Sequence, residues 1–281
     1  MRKLPPPEIT NTEVIKACIS NIEDATLNSN VLGNLSTFNR AIDTYVTNGA
    51  NRTLETITSH TDINGVISKD QMKFLYGKMV IKKNKSARDY YDILLHSAKK
   101  CPFCGYGVTS TLDHLLPKSQ FPIYAVAPIN LVPSCKDCNT TKLAMTTQDN
   151  IIFMHPYFDN VDDERWLFCE VGYFEDTVAF RFTVIKPLSW SELKFKRMEY
   201  HFKSFNLNNL FIGFASDEFS DSLYGFKKLL DTKGSVEVKN DLDSKFESCE
   251  SNLINHWKTA MYDTLRNDEL FYIEWLKQYQ E

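Results

Sequence analysis

Two C-x-x-C pairs near the middle of the chain constrain its fold more than any other feature. Cys101/Cys104 and Cys135/Cys138 use four of the seven cysteines and are separated by 30 residues. Each pair can present two thiolates from a tight turn, and tetrahedral Zn²⁺ takes four such ligands. Four buried free thiols or a redox C-x-x-C are the alternatives. The spacing favours one zinc ion, which four thiolates would close off from chemistry, so the zinc is predicted to be structural.

Length and composition indicate a packed protein in a reducing compartment. The 281 residues are 43% hydrophobic and 13% aromatic, which is enough for a substantial core. No apolar run reaches the roughly 18 residues of a transmembrane helix, and no apolar segment follows the charged N-terminus. The odd cysteine count argues against a disulfide framework. We therefore expect a cytoplasmic protein without membrane contact.

The charge is unevenly distributed along the chain. The net charge is −4, yet the stretch from Lys73 to Lys142 contains 11 Lys and Arg against 4 Asp and Glu. This basic stretch is where a polyanion such as nucleic acid would bind. The acidic flanks would limit non-specific binding or face a protein partner.

Hydrophobic periodicity predicts a mainly helical α+β protein with three regions. Residues 1–98 are expected to be helical after an extended N-terminal arm, because apolar residues recur every three or four positions. Residues 99–160 contain the two cysteine pairs and have little helical periodicity. Residues 161–281 predict a small β-hairpin, joined at Phe174-Glu175-Asp176, followed by further helices.

Individual helices in the first region are predicted from apolar stripes and capping residues. One helix is expected from Thr12 to about Asn28 and another near residues 33–48. A third helix follows Ser68, and a fourth has Ser86 as its N-cap with Asp89 three residues later. These four helices account for most of the region.

A second motif lies between and after the cysteine pairs. Leu112-Asp113-His114-Leu115-Leu116-Pro117 is followed by Asn130, and the second pair continues as Cys135-Lys-Asp-Cys138-Asn139-Thr-Thr-Lys142. In this order the elements resemble the HNH family of ββα-metal nucleases, over about 42 of 281 residues. The resemblance implies a central, zinc-stabilised ββα-metal module. It also implies an enzyme that hydrolyses phosphodiester bonds in nucleic acid, most often in double-stranded DNA.

The resemblance assigns roles to single residues. His114 fits the general base that takes a proton from the attacking water. Asp113 and Asn139 fit two oxygen ligands of a catalytic Mg²⁺, or of Mn²⁺ in its place. Asn130 fits the middle asparagine of the motif, which pins the loop between the strands, and is equally well read as a turn former. An Asp-His pair by itself is commonly structural.

Three further residues are candidates for the site. Lys142 matches the last basic position of the family and, with Lys118, would contact phosphate; both are equally well read as ordinary solvated lysines. His155 lies in a His-Pro-Tyr-Phe-Asp sequence that resembles one found in a bacterial subset of HNH proteins. It would be a further metal ligand, would orient the phosphate, or would be a structural histidine before a proline turn.

The expected function is that of a metal-dependent HNH endonuclease acting on DNA. Compact members with helical extensions resemble the nuclease components of bacterial anti-phage systems such as the Septu type, which implies an ATPase partner and a role in defence. The alternative is a catalytically inactive, zinc-stabilised DNA-binding or interaction subunit of an ATPase-containing complex. The joint presence of Asp113, His114 and Asn139 favours catalysis.

Overall fold

The fold is α+β and mainly helical, as the sequence predicts. A computed structural model describes residues 1–20, 22–81, 85–143, 153–174 and 177–279. The chain divides into two compact units, residues 1–160 and 161–281. Residues 1–98 and 99–160, which differ in composition, fold together in the first unit. None of the described helices combines the length and apolarity that crossing a bilayer requires.

The first unit combines helices with two short antiparallel strand pairs. Its helices are α1 (Asn11–Ile19), α2 (Ala25–Gly33), α3 (Leu35–Asn51), α4 (Lys69–Val80), α5 (Lys85–His96) and α6 (Lys136–Leu143). The strand pairs are β1 (Asp62–Ile63) with β2 (Ile67–Ser68), and β3 (Thr111–His114) with β4 (Leu131–Ser134). Helix α5 packs on β3 and β4, and α6 packs on β3. The β3–β4 pair is therefore supported by helices that precede and follow it in sequence.

The prediction of one helix from Thr12 to Asn28 is wrong, because two helices occupy this stretch. Helix α1 begins after a capping box at Thr10 and ends at Ile19. The Asp24 carboxylate accepts a hydrogen bond from the Leu27 N–H and caps α2. An aspartate that bonds the backbone in this way starts a new helix, which apolar periodicity alone does not reveal.

The two predicted serine caps have different outcomes. Ser68 caps α4 in a capping box with Gln71, as predicted. Ser86 is not an N-cap, because α5 already begins at Lys85. The Ser86 hydroxyl lies 3.2 Å from the Ser20 hydroxyl, so it bonds to another segment of the chain instead of to the first turn of its own helix.

The helices and the β3–β4 pair share one apolar core. Val14, Phe38 and Leu75 reach it from α1, α3 and α4, and Leu112 and Leu131 reach it from the two strands. All five side chains are buried, and each contributes about 1.5–3 kcal/mol through removal of apolar surface from water. The core therefore fixes the position of both strands relative to the helices.

The second unit contains the predicted hairpin and the remaining helices. Strand β5 (Leu167–Tyr173) pairs antiparallel with β6 (Val178–Val184). The turn residues Glu175 and Asp176 lie outside the described residues. Helix α10 packs on β5 and α8 on β6. The helical segments are α7 (Glu192–Ser204), α8 (Leu207–Lys233), α9 (Ser235–Asn252), α10 (Trp257–Asn267), a π-helical segment (Leu270–Trp275) and α11 (Leu276–Gln278).

One buried amide joins the start of the hairpin to the chain before α10. Asn255 Oδ1 accepts hydrogen bonds from the N–H groups of Trp166 at 2.8 Å and Leu167 at 3.2 Å. Asn255 Nδ2 donates to the carbonyls of Val161 at 2.9 Å and Glu164 at 2.8 Å. The Asn255 side chain therefore satisfies four backbone groups in a place that is shielded from water.

We expect Asn255→Ala to lower the free energy of unfolding of the second unit by about 3 kcal/mol, because it leaves four backbone groups without partners. All four tryptophans lie in this unit, so urea denaturation followed by tryptophan fluorescence reports the change. The control is Asn252→Ala at an exposed position, with an expected change within about 0.5 kcal/mol. Equal stability of the two variants would contradict the role of Asn255.

Candidate functional site

The four cysteines of the two C-x-x-C pairs converge in the first unit. Cys101 and Cys104 lie in turns before β3, Cys135 follows β4 directly, and Cys138 lies in the first turn of α6. All four are buried, and their sulfur atoms lie within 4.8 Å of one another. Tetrahedral zinc, with bonds of about 2.3 Å, needs sulfurs about 3.8 Å apart. The cluster can therefore hold a structural metal ion such as zinc.

Backbone N–H groups point at two of the sulfur atoms. The Gly107 N–H donates to Cys104 Sγ at 3.3 Å, and the Cys138 N–H donates to Cys135 Sγ at 3.4 Å. Hydrogen bonds from the neighbouring thiols, and then from Gly107, lower the pKa of Cys104. Donors placed in this way stabilise thiolates, which are the form that binds metal.

The turn of the first cysteine pair depends on two glycines. Gly105 has a φ of +76°, a conformation that side chains rarely adopt. Gly107 lies against the second pair, and a Cβ atom at this position would be 2.8 Å from Cys135 Cβ and 2.9 Å from Cys135 Sγ. The close approach of the two cysteine pairs therefore requires a residue without a side chain at position 107.

The β3–β4 pair sets the directions of Asp113 and His114. Asp113 pairs with Val132 and His114 with Leu131 in antiparallel register. Consecutive residues of a strand point to opposite faces, so these two side chains diverge. Thr111 lies two residues before Asp113 and shares its face.

The face of Asp113 is covered by helix α6. Asn139 Nδ2 donates to the Thr111 hydroxyl at 3.1 Å. Lys142 Nζ lies 2.8 Å from Asp113 Oδ2 in a buried ion pair and also donates to the His114 carbonyl. The structure thus places Asp113, Asn139 and Lys142 together, with the Lys142 ammonium at the Asp113 carboxylate. A cation that binds Asp113 would share this carboxylate with Lys142 or displace the ammonium.

The His114 imidazole is buried and held by a backbone carbonyl. Its Nε2 lies 2.8 Å from the Ala125 carbonyl, so Nε2 carries the proton and Nδ1 is the acceptor. Burial, followed by the charges of Lys118 and Lys142, lowers the pKa of His114 to about 3. The imidazole is therefore neutral at pH 7 and can accept a proton.

The Asn130 side chain bridges backbone groups of the loop between β3 and β4. Its Oδ1 accepts the Leu116 N–H at 2.8 Å, and its Nδ2 donates to the carbonyls of Leu116 at 3.0 Å and Tyr124 at 3.2 Å. The side chain is fully buried. Asn130 therefore fixes the shape of the segment that follows His114, which matches both interpretations of this residue from sequence.

His155 lies beside Asn130 in a buried network. Tyr45 Oη lies 3.0 Å from Asn130 Oδ1 and 3.1 Å from His155 Nε2. His155 Nδ1 accepts the Tyr157 N–H at 3.2 Å. Both ring nitrogens of His155 are engaged by these contacts, which supports the structural interpretation over a metal ligand.

Two tyrosines of this site are missed by the sequence analysis. Tyr45 comes from α3, and Tyr76 from α4 lies edge-on to His114 with 4.4 Å between ring centroids. Lys118 Nζ lies 4.7 Å from the centroid of the Tyr76 ring. Both tyrosines fit the apolar periodicity of their helices, so only the tertiary fold distinguishes them from ordinary core residues.

The site and fold together define a mainly helical α+β protein organised around a four-cysteine cluster. Protein ea31 of Escherichia phage lambda is 31% identical to this chain over 297 aligned positions, which cover 97% of this chain and 99% of the relative. The chain belongs to the ea31 family. No family model and no solved structure matches it. The name of this relative states no activity.

We expect Gly107→Ala to weaken zinc binding by about 10- to 100-fold, because the new methyl group pushes Cys135 away from the other sulfurs. Competition with a chromophoric chelator measures the affinity. The control is Gly77→Ala in α4, where a Cβ atom meets nothing within 4 Å. This control should keep the affinity and favour the helix. Unchanged zinc affinity in Gly107→Ala would contradict the four-thiolate site.

Proposed function

We propose that this protein is a metal-dependent HNH endonuclease that hydrolyses phosphodiester bonds, with DNA as its substrate. One observation supports the proposal most: β3, β4 and α6 follow one another in a ββα order, and Asp113 lies on the strand face that α6 covers. Asn139 of α6 bonds to Thr111 on that face, and His114 is next to Asp113 in β3. The cysteine cluster brings together the segment before β3, the residue after β4 and the first turn of α6. This ββα order agrees with the module that the HNH resemblance implies, and it is the support for the proposal.

His114 is proposed as the general base. Its Nδ1 is free to accept a proton from water because Nε2 is used by the Ala125 carbonyl. Burial lowers the pKa of His114 most, and the charges of Lys118 and Lys142 lower it further. A phosphate bound to these lysines would offset their charge and raise the pKa of His114, making it a stronger base when substrate is present.

Asp113 and Asn139 are proposed to hold a catalytic Mg²⁺ or Mn²⁺. One carboxylate and one amide oxygen, completed by waters and phosphate oxygens, suit these ions. Such an ion would polarise the scissile phosphate and stabilise the leaving oxygen. Among the described residues, only the four cysteines form a cluster of three or more His, Cys, Asp or Glu ligands, so substrate oxygens would have to complete the second site.

Lys142 is proposed to exchange partners during binding. Its ammonium lies 2.8 Å from the Asp113 carboxylate. An ion at Asp113 would repel the ammonium, which then becomes available to a phosphate oxygen. Lys118, held against Tyr76, is proposed as a second phosphate contact.

The alternative is an inactive, zinc-stabilised DNA-binding or interaction subunit. The Lys142–Asp113 ion pair favours it, because the ammonium already offsets the charge of the carboxylate that a catalytic ion would bind. An ATPase partner and a defence role stay predictions from the family resemblance. A phage-encoded relative shows that such chains also occur in phage genomes.

We expect the wild-type protein to cut supercoiled plasmid DNA with Mg²⁺ or Mn²⁺, leaving 5′-phosphate and 3′-hydroxyl ends. His114→Ala should reduce the rate by about 10²- to 10⁴-fold, because the water loses its proton acceptor. The control is His96→Ala, which removes an exposed histidine of α5. Gel electrophoresis of the plasmid measures the rate.

Three outcomes separate the two functions. Cleavage that His96→Ala keeps and His114→Ala loses supports the endonuclease. DNA binding without cleavage under either metal supports the inactive subunit. A wild-type protein that neither binds nor cuts DNA or RNA contradicts the endonuclease and the DNA-binding subunit, and leaves only the interaction subunit.

A further inference from the structure

Helix α4 lies outside the HNH-like motif, yet one of its faces reaches the candidate site. The Tyr76 ring contacts His114 edge-on, at 4.4 Å between centroids. The Tyr76 hydroxyl donates to the Leu112 carbonyl at 3.4 Å, on the strand that carries His114. Lys73 precedes Tyr76 by three residues and therefore shares its face of the helix. The surface of α4 that meets the site thus carries a positive charge.

Lys118 meets the same tyrosine from the loop after β3. Its ammonium lies 4.7 Å from the Tyr76 ring centroid, a cation–π contact that holds the half-buried side chain in place. Burial lowers the pKa of Lys118, Asp113 opposes this, and the charges of Lys73 and Lys142 lower it further. The Lys118 ammonium therefore lies in the positive field of both Lys73 and Lys142.

The carboxylates nearby do not balance these charges. Asp113 is paired with Lys142 at 2.8 Å. Asp70 lies 3.2 Å from Lys73, but its side chain is 84% exposed, so water screens this pair. Lys118 forms no ion pair with any carboxylate of the described residues. Three ammonium groups and two carboxylates leave a net positive charge here. An anion bound at this place would offset that charge.

We propose that Lys73 and Lys118, the two lysines that neighbour Tyr76, bind a backbone phosphate of DNA beside the phosphate that is cut. This inference rests on the proposed function, since it takes the scissile phosphate to lie at Asp113 and His114. Tyr76 fixes Lys118 and contacts His114, so it links the phosphate site to the proposed base. Helix α4 is then part of the substrate-binding site, although no motif residue lies in it.

The test is the salt dependence of DNA binding, measured by fluorescence anisotropy with a labelled duplex in Mg²⁺-free buffer. The zinc-containing full chain is used, and the duplex stays intact because no catalytic ion is present. Each lost phosphate contact lowers the slope of log Kd against log[KCl] by about 0.9. Lys73→Gln should lower the slope by that amount and weaken binding at every salt concentration, whereas Lys73→Arg should keep the wild-type slope.

The matched control is Lys78→Gln, on the same helix. The Lys78 ammonium lies 4.7 Å from the ring centroid of the exposed Phe74, away from Tyr76. This variant should keep the wild-type slope. If Lys73→Gln keeps the wild-type slope, or Lys78→Gln loses as much as Lys73→Gln, the phosphate site is overturned.

Cleavage of the same duplex after addition of Mg²⁺ separates this result from the proposed function. A wild-type protein that cuts DNA while Lys73→Gln binds with an unchanged slope refutes the phosphate site alone. A wild-type protein that neither binds nor cuts the duplex overturns both proposals.

Discussion

The convergence of four thiols on one point is the constraint on which the rest of the site depends. Cys101 and Cys104 precede β3, and Cys135 and Cys138 join β4 to α6, so a metal held by all four fixes three elements at once. Binding of structural zinc is worth roughly 10 kcal/mol in segments of this kind. That free energy offsets the cost of ordering a proline-rich stretch with little helical periodicity. The small strand pair is thereby held in the register that directs Asp113 towards α6.

Tyrosine side chains from the helices also hold the site residues in place. Tyr45 joins Asn130 to His155, and Tyr76 lies against His114. Each of these groups has a partner where water cannot reach it, so loss of one partner leaves another buried polar group unsatisfied. The helices of the first unit therefore do more than enclose the zinc site. Tyr45 bonds to Asn130, which shapes the loop after His114. Tyr76 holds the Lys118 ammonium near His114.

The cysteine cluster was predictable from sequence because its spacing is local, whereas the Lys142–Asp113 ion pair was not, since the motif assigns Lys142 to a phosphate. Within 42 residues, the strand register and the helix period dictate which side chains share a face. Tyr45, Tyr76 and Lys73 were not predictable, since their roles arise from packing of distant segments. The break between α1 and α2 was missed for a related reason: a single capping aspartate outweighs apolar periodicity. The contact of His155 Nε2 likewise depends on Tyr45, 110 residues away in sequence.

We propose that two metals have separate duties in this protein, one structural and one catalytic. It is tested most directly by assaying DNA cleavage with protein that contains one zinc per chain and no other metal, before and after addition of Mg²⁺, while zinc content is measured. We expect no cleavage before addition, cleavage afterwards, and one retained zinc throughout. Cleavage by the zinc protein alone, or cleavage with Mg²⁺ by a folded chain that contains no zinc, would contradict it.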